Sequence, residues 1–310
     1  MKTHSINLES KIDVESIALA IGNFDGIHLG HKSVIERLIN LSTSNNYSPS
    51  ILSFDPHPRI FFSKENKNFQ IISNEEKINL LNKLGIIHYF SLQFNKEIAS
   101  LDPLEFIKKI LIDKLHIKYL IVGYDFKFGK DRKGDVNLLK EQSDSHGFKI
   151  DVIEQKHSKI NAEIYSSSYI RKFITEGDIE KANLFLGRNW SMKGVVIEGD
   201  KRAREINFPT ANIVPPKIIH PKKGVYAVKT NYNNICFNGI ANFGERPTVD
   251  GKKLLLEVHL FNFDKNIYGK ELTVEFLAFI REEKKFDNFD LLTKQIQKDI
   301  KIVKTYYSQK

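Results

Sequence analysis

The chain has 310 residues, 41% hydrophobic and 27% charged, with a net charge of +9 and one cysteine. This is globular rather than disordered composition, long enough for two domains, and it excludes an internal disulfide or a thiolate zinc cluster. With no apolar run of ~18 residues to span a bilayer and no signal-peptide stretch in MKTHSINLESKIDVES, a cytoplasmic protein without a membrane partner is expected, its charge serving a solvated lysine-rich surface or an anionic ligand.

Ser16–Ile21 reads as a short buried strand. From about Gly30 a helix follows, with Val34, Ile35, Leu38 and Leu41 on one face. Ser50–Phe54 and Ile86–Phe90 read as strands, separated by a helix that Asn74 caps and Gly85 closes. Asp102-Pro103-Leu104-Glu105 is a helix start, with a capping box and a proline at the first helical position. A strand at Tyr119–Val122, a helix from Asp135 to His146 and a strand at Lys149–Ile153 continue the alternation. That alternation predicts a doubly wound α/β domain on a parallel sheet. Two short helices, Ser166–Thr175 and Asp178–Leu186, come next, ended by Gly177 and Gly187.

After them the pattern changes. Met192–Glu198, Gly224–Thr230, Ile235–Asn242, Leu254–Phe261 and Leu272–Ile280 read as strands between Gly, Pro and Asn turns. Such a run predicts a small antiparallel β-barrel. A terminal helix follows, with Phe289, Leu292, Ile296, Ile300 and Val303 spaced for one apolar face. The change of pattern puts the domain boundary between 187 and 188, giving domains 1–187 and 188–310.

Gly22-Asn23-Phe24-Asp25-Gly26-Ile27-His28-Leu29-Gly30-His31 leaves the first strand and opens the first helix. Its glycines let a ligand approach the backbone, and a helix start favours phosphate. His28 and His31 could hydrogen-bond phosphate oxygens as negative charge builds there. They could equally be two ligands of a zinc ion, although no third is evident nearby, or solvent histidines on a structural turn. The spacing is not that of a Walker A loop, because three residues rather than four separate Gly26 from Gly30. Asp55-Pro56-His57-Pro58 follows the next strand at its carboxyl end, as a crevice wall or as a plain rigid turn. The run from Asp125 through Phe126, Phe128 and Arg132 interleaves aromatic and basic residues, suited to stacking a ring and pairing phosphates. Ser167, Ser168 and Arg171 open a helix, either as anion contacts or as ordinary serine capping.

In the second half, the loop Gly199-Asp200-Lys201-Arg202 is followed by Phe208-Pro209-Thr210-Ala211-Asn212. The Thr210 hydroxyl and the Asn212 amide oxygen are hard ligands suited to Mg²⁺, though alone this string is an ordinary turn. Asn242-Phe243-Gly244-Glu245-Arg246-Pro247-Thr248 comes later, then Glu257 and His259 on one face of a strand and Leu256, Val258 and Leu260 on the other. Spacing alone does not join Glu257 to the Pro-Thr-Ala-Asn turn.

Together these strings resemble the prokaryotic bifunctional riboflavin kinase/FMN adenylyltransferase family, whose first module belongs to the HxGH nucleotidyltransferases. The resemblance implies that the first domain adenylylates FMN to FAD with ATP, with His28 and His31 on the ATP phosphates. Gly22, Phe24, Asp25, Gly30, Asp55, Pro56, His57, Asp125, Phe126, Phe128, Arg132, Ser167, Ser168 and Arg171 would complete that nucleotide and FMN site. It implies that the second domain phosphorylates riboflavin, with Glu257 as general base and Thr210 and Asn212 on Mg·ATP. Gly199, Lys201, Arg204, Phe208, Pro209, Arg246 and Arg281 would line that site. Riboflavin, FMN and ATP are the expected small-molecule partners, Mg²⁺ the expected cofactor, and nucleic acid is not expected. Lys127 stands where arginine is usual in the family, and Ala203 and Asn207 stand where glycine is usual. A single-activity adenylyltransferase with a silent kinase domain, or a non-catalytic flavin- or RNA-binding relative, are the alternatives.

Overall fold

A computed structural model describes residues 1–63, 68–154, 156, 164–198, 208–248 and 251–309. The chain packs into two compact units, one of residues 1–67 and 74–166, the other of 68–73 and 167–310.

The first unit is built on six strands: β1 (Lys2–Ile6), β2 (Ile17–Ile21), β3 (Ser48–Asp55), β4 (His88–Gln93), β5 (Ile117–Gly123) and β6 (Lys149–Ile153). Their order is β1-β4-β3-β2-β5-β6, and every neighbouring pair is parallel. Helices α1 (Leu29–Asn45), α2 (Pro58–Phe62), α3 (Asn74–Lys83), α4 (Lys96–Ser100), α5 (Pro103–Phe106, continued by a π-helical turn over Ile107–Ile112) and α6 (Val136–His146) connect them. The expected capping box forms, with Asp102 and Glu105 each accepting the other's backbone N–H. All five residues of β2 are buried, as a central strand covered on both faces requires. Ile17, Leu19, Ile21, Leu52, Phe90, Leu92, Phe106 and Leu120 belong to one apolar core. β1 was not expected from the sequence: of KTHSI only Ile6 is buried, so an edge strand here has no apolar alternation to read.

The order matters for function. After β2 the chain builds β3 and β4 on one side, then returns to place β5 and β6 on the other. The reversal point lies at β2, and crevices for ligands open there at the carboxyl ends of parallel strands.

In the second unit, β7 (Trp190–Ile197), β8 (Ala211–Ile213), β9 (Gly224–Tyr232), β10 (Ile235–Thr248), β11 (Gly251–Leu260) and β12 (Glu271–Glu282) close an antiparallel barrel in the order β10-β11-β8-β7-β12-β9. Trp190, Tyr226 and Phe276 are fully buried, with the Trp190 and Tyr226 rings 5.0 and 5.1 Å from that of Phe276. The terminal helix, α9 (Phe289–Ser308), packs Ile300, Val303, Tyr306 and Tyr307 on the barrel, while Phe289 at its start is exposed. Helices α7 (Ser167–Glu176) and α8 (Ile179–Leu186) pack with this unit: Asn183 donates to Phe276 O at 2.8 Å and accepts from Trp190 N at 2.7 Å. The expected boundary at 187 follows the change from helix to strand, whereas packing follows where these two helices bury their side chains. Segment 68–73 joins the same unit, with Ile71 O accepting from the Trp190 indole at 2.9 Å. Among the described residues no helix is long and apolar enough to cross a membrane.

Candidate active sites

In the first unit the GNFDGIHLGH loop starts where β2 ends, with Gly22 N donating to Leu52 O of β3 at 3.1 Å. The loop then takes positive φ at Phe24 (48°), Gly26 (84°) and Ile27 (40°). Two of these are non-glycine residues in a region that sterics disfavour, the kind of local strain found at functional sites. The turn brings His28 to the N-cap of α1, where its Nδ1 accepts the His31 N–H at 3.3 Å. In the neutral ring the proton then sits on Nε2. The His28 and His31 rings stack, centroids 3.6 Å apart and 19° from parallel. Gly30 permits this: a Cβ there would lie 3.0 Å from the His28 ring and 3.2 Å from Tyr165. Two imidazoles thus stand together at the positive end of a helix, at the reversal point of the sheet. The stacking holds the two rings side by side at one helix start, and the described residues contain no group of three or more His, Cys, Asp or Glu able to hold a metal.

Asp25, His28, Ser53, His57 and Lys77 are among the buried polar groups of this unit. Burying such groups is costly unless they are paired. Asp55 and Pro56 are exposed at the carboxyl end of β3, and His57 caps α2 through Nδ1, which accepts Arg59 N at 3.1 Å. At the end of β5, Asp125 and Arg132 are exposed, and Lys127 is paired with Asp135 at 3.1 Å. Phe128 is buried against Phe106, with Phe126 stacked on it at 5.6 Å, so this ring is part of the core. Ser167, Ser168 and Arg171 open α7 in the second unit, where the Arg171 guanidinium lies 3.8 Å over the Phe69 ring and donates to Phe69 O. Sequence reasoning missed Ser53 and Lys77, each of which donates to Asn23 O. A lysine in a helix gives no sign of its burial.

In the barrel, strand register supplies what spacing withheld. Glu257 of β11 sits opposite Asn212 of β8 on one side and opposite Asn242 of β10 on the other. Leu256, Val258 and Leu260 are buried, leaving Glu257 and His259 on the other face. Glu257 Oε2 accepts Arg246 Nε at 2.8 Å, Arg246 Nη2, and Asn242 Nδ2 at 3.4 Å. His259 Nδ1 lies 2.9 Å from Pro209 O, and Phe208 packs edge-on against the His259 ring. The Phe208–Asn212 segment is thereby drawn along the Glu257 strand. Asn242, which spacing did not single out, could have been found by laying a hairpin register through Glu257.

Arg281 is held by α9. Its Nε donates to both Asp299 oxygens at 3.0 Å and its Nη2 to Oδ2 at 2.7 Å. Asp299 also accepts from Gln295, and the two side chains of the ion pair are 16% and 3% exposed. Removing one partner leaves a buried charge without compensation. Asp299→Ala is therefore expected to destabilise the second unit by about 3–5 kcal/mol. An earlier urea transition of the fluorescence of Trp190, the single tryptophan and buried in this barrel, would show it. Gly199, Lys201 and Arg204, with Ala203 and Asn207, lie outside the described residues.

The FAD synthetase family model matches residues 10–169, and the riboflavin kinase family model matches residues 186–307. A bifunctional riboflavin kinase/FMN adenylyltransferase of Haemophilus influenzae is 39% identical over 95% of this chain and 96% of its own. One from Bacillus subtilis is 36% identical over 99% and 97%. A solved structure from Streptococcus pneumoniae, described as a macrolide-efflux protein, superposes with a TM-score of 0.88 over 97% of this chain and 98% of its own, at 28% identity. With two matching family models in tandem and curated relatives aligned along nearly their whole length, the chain belongs to the bifunctional riboflavin kinase/FMN adenylyltransferase family.

Proposed function

We propose that the chain makes FAD in two ATP-dependent steps, riboflavin to FMN in residues 188–310 and FMN to FAD in residues 1–187. The observation that carries the reading is the stacked His28–His31 pair at the start of α1, beside the carboxyl end of β2. In the second step an FMN phosphate oxygen bonds to the α-phosphorus of ATP and the bond to pyrophosphate breaks. No enzyme nucleophile is required, so positioning and charge stabilisation supply the catalysis. His28 and His31 donate to phosphate oxygens. Gly22, Phe24, Asp25 and Gly30 shape the loop, and Asp55, Pro56, His57, Asp125, Phe126 and Arg132 border it at neighbouring strand ends.

For the first step, Glu257 takes the proton of the riboflavin 5′-hydroxyl as that oxygen bonds to the γ-phosphorus and ADP leaves. Arg246 and Asn242 orient the carboxylate. The Thr210 hydroxyl and the Asn212 amide oxygen are hard, uncharged donors, which suit Mg²⁺ completed by substrate phosphates. Thr210 and Asn212 would hold the ion, which would neutralise phosphate charge. Phe208 and Pro209, with Gly199, Lys201, Arg204 and Arg281, contribute to the surroundings of this site. The partners are small molecules rather than nucleic acid, and the setting is the cytoplasm.

Product analysis tests the reading. Pure protein with ATP and Mg²⁺ is expected to convert riboflavin to FMN and then FAD, and FMN to FAD with release of pyrophosphate. Absence of FAD from FMN would overturn the first assignment, and absence of FMN from riboflavin the second.

A further inference from the structure

The loop that carries the histidines is anchored by a buried lysine. Lys77 of α3 is 4% exposed and is the one buried Lys or Arg among the described residues. Its Nζ donates to the main-chain oxygen of Asn23 at 3.1 Å. Ser53 Oγ, from β3, donates to the same oxygen at 3.3 Å. The Asn23–Phe24 peptide is trans, so fixing its oxygen also fixes the opposite direction of the Phe24 N–H. Phe24 is the first of the positive-φ residues that turn the chain into His28. A loop in this conformation persists only where its surroundings over-determine it.

The charge around Lys77 belongs to the same place. Burial draws its pKa below that of an ordinary lysine, while the negative charges of Asp25 and then Asp55 oppose the shift. One carboxylate lies on the histidine loop and the other at the end of β3. A methionine would fill the same space without the cost of burying an amine. What the amine adds is a directed hydrogen bond to the loop.

We propose that Lys77 is a positioning residue for adenylyl transfer, fixing the Asn23–Ile27 loop in the shape that presents His28 and His31 to ATP phosphates without itself touching substrate. This rests on reading the first unit as the adenylyltransferase. Ser53 is its partner at the same carbonyl.

The test is steady-state kinetics of FAD formation from FMN with ATP varied, on the full chain. Lys77→Met is expected to raise the KM for ATP and lower kcat/KM about 3- to 10-fold, as loss of one hydrogen bond does, with FMN formation from riboflavin unchanged. Ser53→Ala is expected to raise the KM for ATP by about threefold. A lysine that only supports folding would lower the melting temperature and leave the KM for ATP of the folded protein at the wild-type value, and that result overturns the proposal. Should Lys77→Met not fold, an unchanged KM for ATP in Ser53→Ala overturns it instead. A wild-type protein that makes no FAD removes the underlying reading and this proposal together, whereas wild-type FAD synthesis undiminished in both variants removes this proposal alone.

Discussion

The Glu257→Gln variant is expected to lose FMN formation from riboflavin by at least about 100-fold, the lower end of what a positioned general base contributes. Glutamine keeps the shape of the side chain and removes its basicity. The carboxylate is arranged for the task. Arg246 and Asn242 both bond to Oε2, while Oε1 accepts no hydrogen bond from the described residues. On the proposed role, one oxygen is a handle that fixes the rotamer, and the other is the atom that would take the proton. The change should cost little stability, since the Arg246 and Glu257 side chains are 43% and 20% exposed and such pairs contribute modestly. Initial rates of FMN production check the prediction, with the Trp190 fluorescence melt as control for folding. FAD formation from supplied FMN should persist. A variant that still phosphorylates riboflavin at the wild-type rate would remove Glu257 from the role of base.

Much of this molecule was legible before its structure, for reasons that differ by element. β2 could be read because a central parallel strand is apolar along its length, and IALAI is. The start of α5 could be read because Asp102, Pro103 and Glu105 each satisfy a local rule of helix initiation. β8 could not be read, because three residues are too few to show a period, yet it carries Asn212 opposite Glu257. That pairing depends on barrel closure, a long-range fact that spacing does not encode. Phe128 shows a converse difficulty. An aromatic between basic residues suggested a stacking surface, but its ring is buried against Phe106. Composition does not tell which side of a strand end a ring will take. Lys77 was invisible for a related reason, since EEKINLLNK reads as the solvated face of a helix, and only packing shows the amine turned inward to Asn23 O.

His28→Ala should reduce FAD formation from FMN by about 100- to 1000-fold, the usual loss when one donor to a developing phosphate or oxyanion charge is removed. His28 has two duties in this geometry. Its Nδ1 caps α1 by accepting the His31 N–H, and its ring stacks on His31 at 3.6 Å. Alanine therefore removes one donor and also frees its neighbour to move. His28→Asn separates the two effects. Asparagine is a strong N-cap, so it keeps the helix start and loses the imidazole. If the imidazole is the catalytic donor, asparagine should be nearly as slow as alanine. If capping alone mattered, asparagine should recover most of the rate. FMN formation from riboflavin is the internal control, because Glu257 and its partners lie in the other unit. An alanine variant that makes FAD at the wild-type rate would show that the phosphates are held elsewhere, and the stacked pair would lose its place at the centre of the first site.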